Sequence, residues 1–321
     1  MTEYNPKNWH REFLAHHQLP PAYLASAQQW FDPLAATLNA HRSGAAGPVL
    51  VGINGCQGSG KSTCCDYLRC LLEAEYGLRT VALSLDDFYL GHDERQTLAA
   101  RIHPLFVTRG APGTHDMSLL RDTLDALRNP GFENHGLENR GSHAGAPVAI
   151  PRFNKAADDR QPFSQWDQVS LPVDIILLEG WCLGVQPQTA AELAEPCNSL
   201  ERDEDSEGLW RQYANERLTE DFLPLYARVD LWMMLKAPSF ACVQRWRQEQ
   251  ENKLIAKLAE MPTSGGNRTM SPAALARFVQ HYQRLTEHCL ETLPAQMDIV
   301  LRLDEQRRII ACERRDLLAC R

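Results

Sequence analysis

The sequence predicts an α/β protein: a doubly wound, mainly parallel sheet with helices on both faces and a helical extension at the N-terminus. Three observations carry this expectation. Short apolar runs alternate with helical patterns along the chain, the order that produces a parallel sheet covered on both faces. A glycine-rich string, Gly55-Cys56-Gln57-Gly58-Ser59-Gly60-Lys61-Ser62, joins the first such run to a helical pattern. Two later runs end in carboxylates, Asp86-Asp87 and Glu179, at the strand ends where ligands gather in such sheets.

Taken in order, residues 1–46 precede the first core strand. Trp9, Phe13 and Leu14, then Tyr23, Leu24, Trp30, Phe31, Leu34 and Leu38, read as two or three short helices with an apolar face, divided at Pro20-Pro21. This stretch is too small to fold alone and should pack on the core that follows. The first strand is Pro48–Ile53, and the helix after the glycine string is marked by Cys64, Leu68, Leu71 and Leu72, with Gly77 as its stop. Further strands read Thr80–Leu85, Val173–Leu178, Val229–Leu235 and Asp298–Leu303. Between the last two lie helical patterns, one from about Phe240 to Leu258 and one opened by Ser271-Pro272, an N-cap and N1 pair. Residues 129–147, 186–208 and 262–270 read as irregular insertions, the first two as surface loops.

Composition excludes several classes. The 321 residues are 44% hydrophobic and 23% charged, as in ordinary globular proteins. A net charge of −8, from 33 basic and 41 acidic residues, argues against a duplex-binding surface, so no nucleic-acid partner is expected. No run of about 18 apolar residues exists to span a membrane, and the start lacks the apolar core of a secretion signal. The ten cysteines contain no C-x-x-C pair and read as buried thiols of a cytoplasmic protein.

The string at 55–62 has the form G-x-x-x-x-G-K-[ST], the P-loop, and its strand–loop–helix context aims backbone N–H groups and a helix N-terminus at an anion. A P-loop NTPase core that binds a nucleoside triphosphate, with Thr63 as the next residue of the cradle, follows. Lys61 would neutralise the β/γ-phosphates and the Ser62 hydroxyl would hold Mg²⁺. Asp86, at a strand end, is placed to take the proton of an attacking hydroxyl. Its neighbour Asp87 points elsewhere and joins the acceptor-binding candidates. Glu179 follows four apolar residues, where a carboxylate would hold Mg²⁺ or its water shell. Arg109-Gly110-Ala111-Pro112-Gly113-Thr114-His115-Asp116 offers a bidentate cation and an imidazole, although a structural loop with capping at Thr114 or Asp116 fits as well. Lys155 adds a cation. Arg245 and Arg247 open the helical stretch after the fourth strand, where a lid could bring a cation to the transferring phosphate, while helix-surface ion pairs with Glu249 and Glu251 are equally compatible.

Collected, these pieces resemble the P-loop kinases of the uridine kinase, phosphoribulokinase and pantothenate kinase group, and within it the D-glycerate 3-kinases. The resemblance runs over Gly55–Ser62, Asp86–Tyr89, His103–Leu105, Arg109–Asp116, Pro151–Lys155, Leu178–Trp181, Trp246–Glu251 and Phe278–Leu285. It implies phosphorylation of a small-molecule hydroxyl by ATP with Mg²⁺. It makes Lys61 and Ser62 the ATP–Mg²⁺ ligands and Asp86 the general base. Glu179 falls near the metal, and Tyr89, Arg109 and His115 fall near a hydroxy-acid acceptor. The lid lies in about 236–270, and Arg245 and Arg247 with it. Where relatives are expected to read P-x-F-D-K-S, this chain has Phe153-Asn154-Lys155-Ala156. Other acceptors (a nucleoside, pantothenate or a sugar phosphate) and a regulatory nucleotide-binding role remain open from the residues alone.

Overall fold

The computed structural model describes residues 7–129, 147–260 and 270–315. Strand β1 (Val49–Gly55) lies at the centre of a six-stranded sheet. Its neighbours are β7 (Ile175–Gly180) and β8 (Leu231–Lys236); β2 (Thr80–Ser84) lies outside β7, and β9 (Ile299–Leu303) outside β8. These five strands are parallel, as the alternation of runs and helices predicts. A sixth strand, β10 (Ile309–Arg314), pairs antiparallel with β9 and closes that edge. None of its residues is fully buried, and a turn with Arg307 at positive φ precedes it, so no apolar run announced it.

Burial along β1 explains the layering. Val49, Val51 and Ile53 join one buried cluster and Leu50 joins the other, because successive strand side chains point to opposite faces. On the first face lie α3 (Lys61–Tyr76) and α10 (Phe240–Glu260), and α2 (Tyr23–Gly44) and α1 (Asn8–His17) pack outside α3. The second face is covered by α5 (Met117–Arg128) and α11 (Pro272–Thr292). Between α3 and α5 runs α4 (His92–Arg101); α6 (Ala190–Ala194), α7 (Ser199–Glu204), α8 (Leu209–Arg217) and α9 (Leu223–Tyr226) follow β7. Helix α11 begins as its Ser-Pro pair predicts, with the Ser271 hydroxyl accepting from the Ala274 N–H at 3.2 Å.

The N-terminal helices are part of the main core rather than a veneer. Phe13, Leu24, Phe31, Leu34 and Leu38 share the cluster of Val51 and Ile53, and the buried Tyr67 of α3 donates its hydroxyl to Asp32 at 2.9 Å. Phe31→Ala is therefore expected to cost about 3–5 kcal/mol in unfolding free energy, measured by urea titration. A loss below about 1 kcal/mol would mean that α2 can leave the core without consequence.

One expectation is corrected and two lie elsewhere. Residues 186–208 are not a loop: Thr189 caps α6 in a capping box with Glu192, and Asn198 caps α7. Two of its seven carboxylates are buried in ion pairs, and the other five are exposed. Glu201 is salt-bridged to Arg284 at 2.6 Å and Asp205 to Arg211 at 2.9 Å. Residues 130–146 and 261–269, which hold most of the other two insertions and the end of the lid region, lie outside the described residues. Among the described residues no helix is long and apolar enough to cross a membrane.

Candidate active site

The cleft at the carboxyl ends of β1, β2 and β7 has a volume of about 410 Å³, and Gln57, Lys61, Ser62, Asp86, Lys155 and Glu179 line it. Its floor is the glycine loop. Gly58 and Gly60 adopt φ of 76° and 92°, the left-handed region that a side chain resists, and α3 starts directly after at Lys61. A Cβ at Gly58 would lie 2.9 Å from the Trp246 Cβ, so α10 seats directly on the loop. Lys61 Nζ donates to the Cys56 carbonyl at 3.3 Å and lies 3.8 Å from Glu179 Oε2. The Gln57 Oε1 and Ser59 Oγ atoms are buried in the loop without a hydrogen-bond partner among the described residues.

Glu179 lies inside β7 rather than after it and is 7% exposed. A carboxylate buried so deeply must be compensated. Ser62 Oγ donates to its Oε1 at 2.8 Å, and Ser84 Oγ donates to the same oxygen at 3.0 Å. Ser84, the last residue of β2, was not singled out in the sequence, because a lone serine at a strand end carries no signal. Ser62 and Glu179 together form a hard oxygen pair beside the P-loop, the donor type that Mg²⁺ takes.

Asp86 sits in a short 3₁₀ turn that follows β2. Lys155 Nζ donates to its Oδ2 at 2.6 Å and the Tyr89 hydroxyl to its Oδ1 at 3.0 Å. Burial would raise its pKa, but the Lys155 charge, helped by Lys61 and Tyr89, outweighs burial and holds the carboxyl at about 2. Asp86 is therefore an anion facing the phosphate cradle. Tyr89 is fully protonated, since burial first and Asp86 second push its pKa well above the ordinary value.

Asp87 lines the same cleft but is taken up by structure. Arg152 Nη1 donates to its Oδ2 at 2.7 Å and the Phe153 N–H to its Oδ1 at 3.0 Å. These bonds tie the turn after β2 to a hairpin of β4 (Phe153–Asn154) and β5 (Asp159–Arg160), the hairpin that carries Lys155; it is flanked by β3 (Val148–Ile150) and β6 (Asp167–Val169), which pair with each other. Asp158, at a φ of 58°, gathers the guanidinium groups of Arg95 and Arg109.

Two sequence candidates, Arg109 and His115, stand in a different state from the one their residue types suggest. Arg109 is an ion-paired group stacked over Phe153, not a free clamp. His115 is 5% exposed between Tyr89 and Phe222, and burial lowers its pKa to about 4 against the pull of Asp86, so it is a neutral imidazole rather than a cation. The loop around it is built as its capping reading allows. Thr114 Oγ1 accepts from the Gly110 N–H at 3.0 Å, and Asp116 caps α5 through the Leu119 N–H at 2.9 Å. Gly110 has φ of 135° and a Cβ there would meet the Tyr282 hydroxyl at 2.5 Å, while that hydroxyl donates to the Arg109 carbonyl at 2.8 Å.

Neither Arg245 nor Arg247 lines the cleft in this structure. Arg245 pairs with Glu305 at 3.1 Å, and Arg247 pairs with the buried Glu251 at 2.9 Å and lies over Phe278. The reason is helical phase: the fully buried Trp246 faces the P-loop, so its two neighbours turn away, and Gln250, one turn on, is the side chain that reaches the cleft.

Comparison with known proteins gives a consistent set. No protein-family model matches the chain. It is 31% identical over 269 residues to the uncharacterized kinase mug58 of Schizosaccharomyces pombe, covering 77% of this chain and 87% of that protein. It is 28% identical over 255 residues to the chloroplastic D-glycerate 3-kinase of Arabidopsis thaliana, covering 78% of this chain but only 49% of that protein. The solved structure of D-glycerate 3-kinase from Cryptococcus neoformans superposes with a TM-score of 0.68 at 25% identity, over 90% of this chain and 99% of that one.

Proposed function

From the premise that this chain belongs to the D-glycerate 3-kinase-like P-loop kinases, we propose that it transfers the γ-phosphate of ATP to D-glycerate, giving 3-phosphoglycerate. The chain is an ATP-dependent kinase with an alcohol group as acceptor. The finer reading, D-glycerate, follows the named relatives, and one juxtaposition supports a carboxylate-bearing acceptor. A proton-accepting carboxylate and a movable cation, Asp86 and Lys155, stand 2.6 Å apart in the cleft that the P-loop floors. The Lys155 side chain is 61% exposed, so it can exchange Asp86 for the carboxylate of an incoming hydroxy acid.

In this mechanism the P-loop N–H groups and Lys61 cradle the triphosphate. Ser62 and Glu179 would hold Mg²⁺, which when bound shields phosphate charge. The acceptor hydroxyl gives its proton to Asp86 as its oxygen bonds to the γ-phosphorus, and the bond from that phosphorus to the β–γ bridging oxygen breaks, releasing ADP. Tyr89 keeps Asp86 turned toward the acceptor through its hydroxyl. Asp87, through Arg152, positions the hairpin that delivers Lys155. Arg109 and His115 shape the acceptor side, one as the partner of Asp158 and the other as a neutral wall packed on Tyr89.

Lys155→Met tests this assignment. It removes a charge-assisted contact to the acceptor carboxylate, so the KM for D-glycerate should rise about ten- to hundredfold. The same change removes the charge that depresses Asp86, leaving burial less opposed, so the Asp86 pKa rises from about 2. A base whose pKa is raised loses its ionised form at a higher pH. The acid limb of the kcat/KM profile should therefore move upward in pH relative to the native enzyme. An unchanged KM and an unmoved acid limb would remove Lys155 from the acceptor site.

A further inference from the structure

We propose that His16, His17 and Asp66 form a binding site for a divalent transition metal of the zinc class, separate from the phosphate cleft. The two histidines end α1, and Asp66 lies in the second turn of α3. One ligand atom from each lies within 4.8 Å of the others. Two imidazoles and a carboxylate make an N,N,O donor set, which suits Zn²⁺, Ni²⁺ or Cu²⁺, whereas Mg²⁺ and Ca²⁺ select oxygen alone.

The surroundings already position two of the three ligands. His17 Nε2 already stands 2.8 Å from Asp66 Oδ2. The other carboxylate oxygen, Oδ1, accepts from Arg69 Nε at 3.0 Å and Nη2 at 2.6 Å, which fixes the carboxylate with Oδ2 turned toward the imidazoles. Such an outer partner is what orients metal-bound carboxylates elsewhere. His16 is exposed and its ring meets that of His17 edge-on at 4.8 Å, so it can swing inward. Metal–ligand bonds of about 2.0–2.2 Å require the three atoms to draw within about 4 Å of each other, a movement that His16 alone can supply. On its open side the cluster borders a cleft of about 800 Å³ lined also by Arg69, Glu73 and Arg79, which leaves room for water as the remaining ligands. A metal here would bolt the N-terminal α1 to α3, the helix whose first residues are Lys61 and Ser62.

The test is calorimetric titration of the reduced full-length chain with ZnCl₂ in excess Mg²⁺, and absorption spectroscopy with Co²⁺. The expected result is one metal bound per chain in the micromolar range, no displacement by Mg²⁺, and a Co²⁺ spectrum without a thiolate charge-transfer band. His16→Ala, an exposed change that leaves the Asp66–Arg69 pair in place, should weaken binding about tenfold or more, since even outer partners of a metal cost that much. Asp66→Asn should do the same, and the thermal midpoint of the native chain should rise with ZnCl₂ while that of His16→Ala does not. No saturable binding would overturn the proposal. So would displacement by Mg²⁺, a thiolate band, or unchanged affinity in both variants. None of these readouts depends on kinase activity.

Discussion

Replacing Asp86 by Asn is expected to lower kcat by about 10²–10⁴ while leaving ATP affinity largely intact. Asparagine keeps the shape of the side chain and its hydrogen bond from Tyr89, but it cannot take a proton. The native carboxyl, held at about 2 by Lys155 despite its burial, stays ionised through neutral pH. The linkage sign follows: because its folded pKa lies below its ordinary 3.8, the stabilisation it gives is present at neutral pH and fades only as pH falls toward about 2. Asp86→Asn gives up that stabilisation at pH 7 together with the base, so the variant's thermal unfolding is measured beside its kinetics. Steady-state kinetics with D-glycerate, paired with calorimetric titration of ATP, separates turnover from ATP binding. A kcat within about tenfold of the native value would exclude Asp86 as the base.

Lys61→Ala should act on the other substrate. Lys61 is the cation beside the helix N-terminus of α3, 3.8 Å from Glu179, and nothing else in the loop carries positive charge. Its removal takes away charge that the transferring phosphate needs and leaves Glu179 facing the phosphates with less compensation. Both ATP affinity and turnover should fall, with kcat/KM for ATP down about 10²–10³. Unchanged ATP affinity and turnover would contradict the P-loop assignment. The two variants also differ in kind. Asp86→Asn spares ATP binding, and Lys61→Ala does not.

The parts of this site legible in the sequence are those whose chemistry is local. The P-loop is readable because strand, loop and helix are contiguous. Asp86 and Glu179 are readable because strand ends in a doubly wound sheet face the ligand. The rest depends on contacts between distant residues. Lys155 and Asp86 are 69 positions apart, and Arg152 and Asp87 are 65 apart. In the sequence each of those cations looks like a solvated surface charge. Arg109 looked free for the same reason: its partner Asp158 lies 49 residues away, at a backbone angle that aspartate tolerates but does not advertise. Arg245 and Arg247 follow the ion-pair reading that the sequence also allowed. A search for cations near a lid selects arginines, whereas helical phase hands the P-loop face to Trp246 and Gln250. Strand β10 stayed hidden because an edge strand with one half-buried face has no continuous apolar run.

The most direct test of the central claim is ADP release by the purified protein with Mg-ATP, offered D-glycerate, L-glycerate, pantothenate, uridine and ribulose 5-phosphate in turn. Strong stimulation by D-glycerate alone, abolished in Asp86→Asn, is the expected result. Stimulation by another member of the panel and not by D-glycerate would contradict the acceptor assigned here.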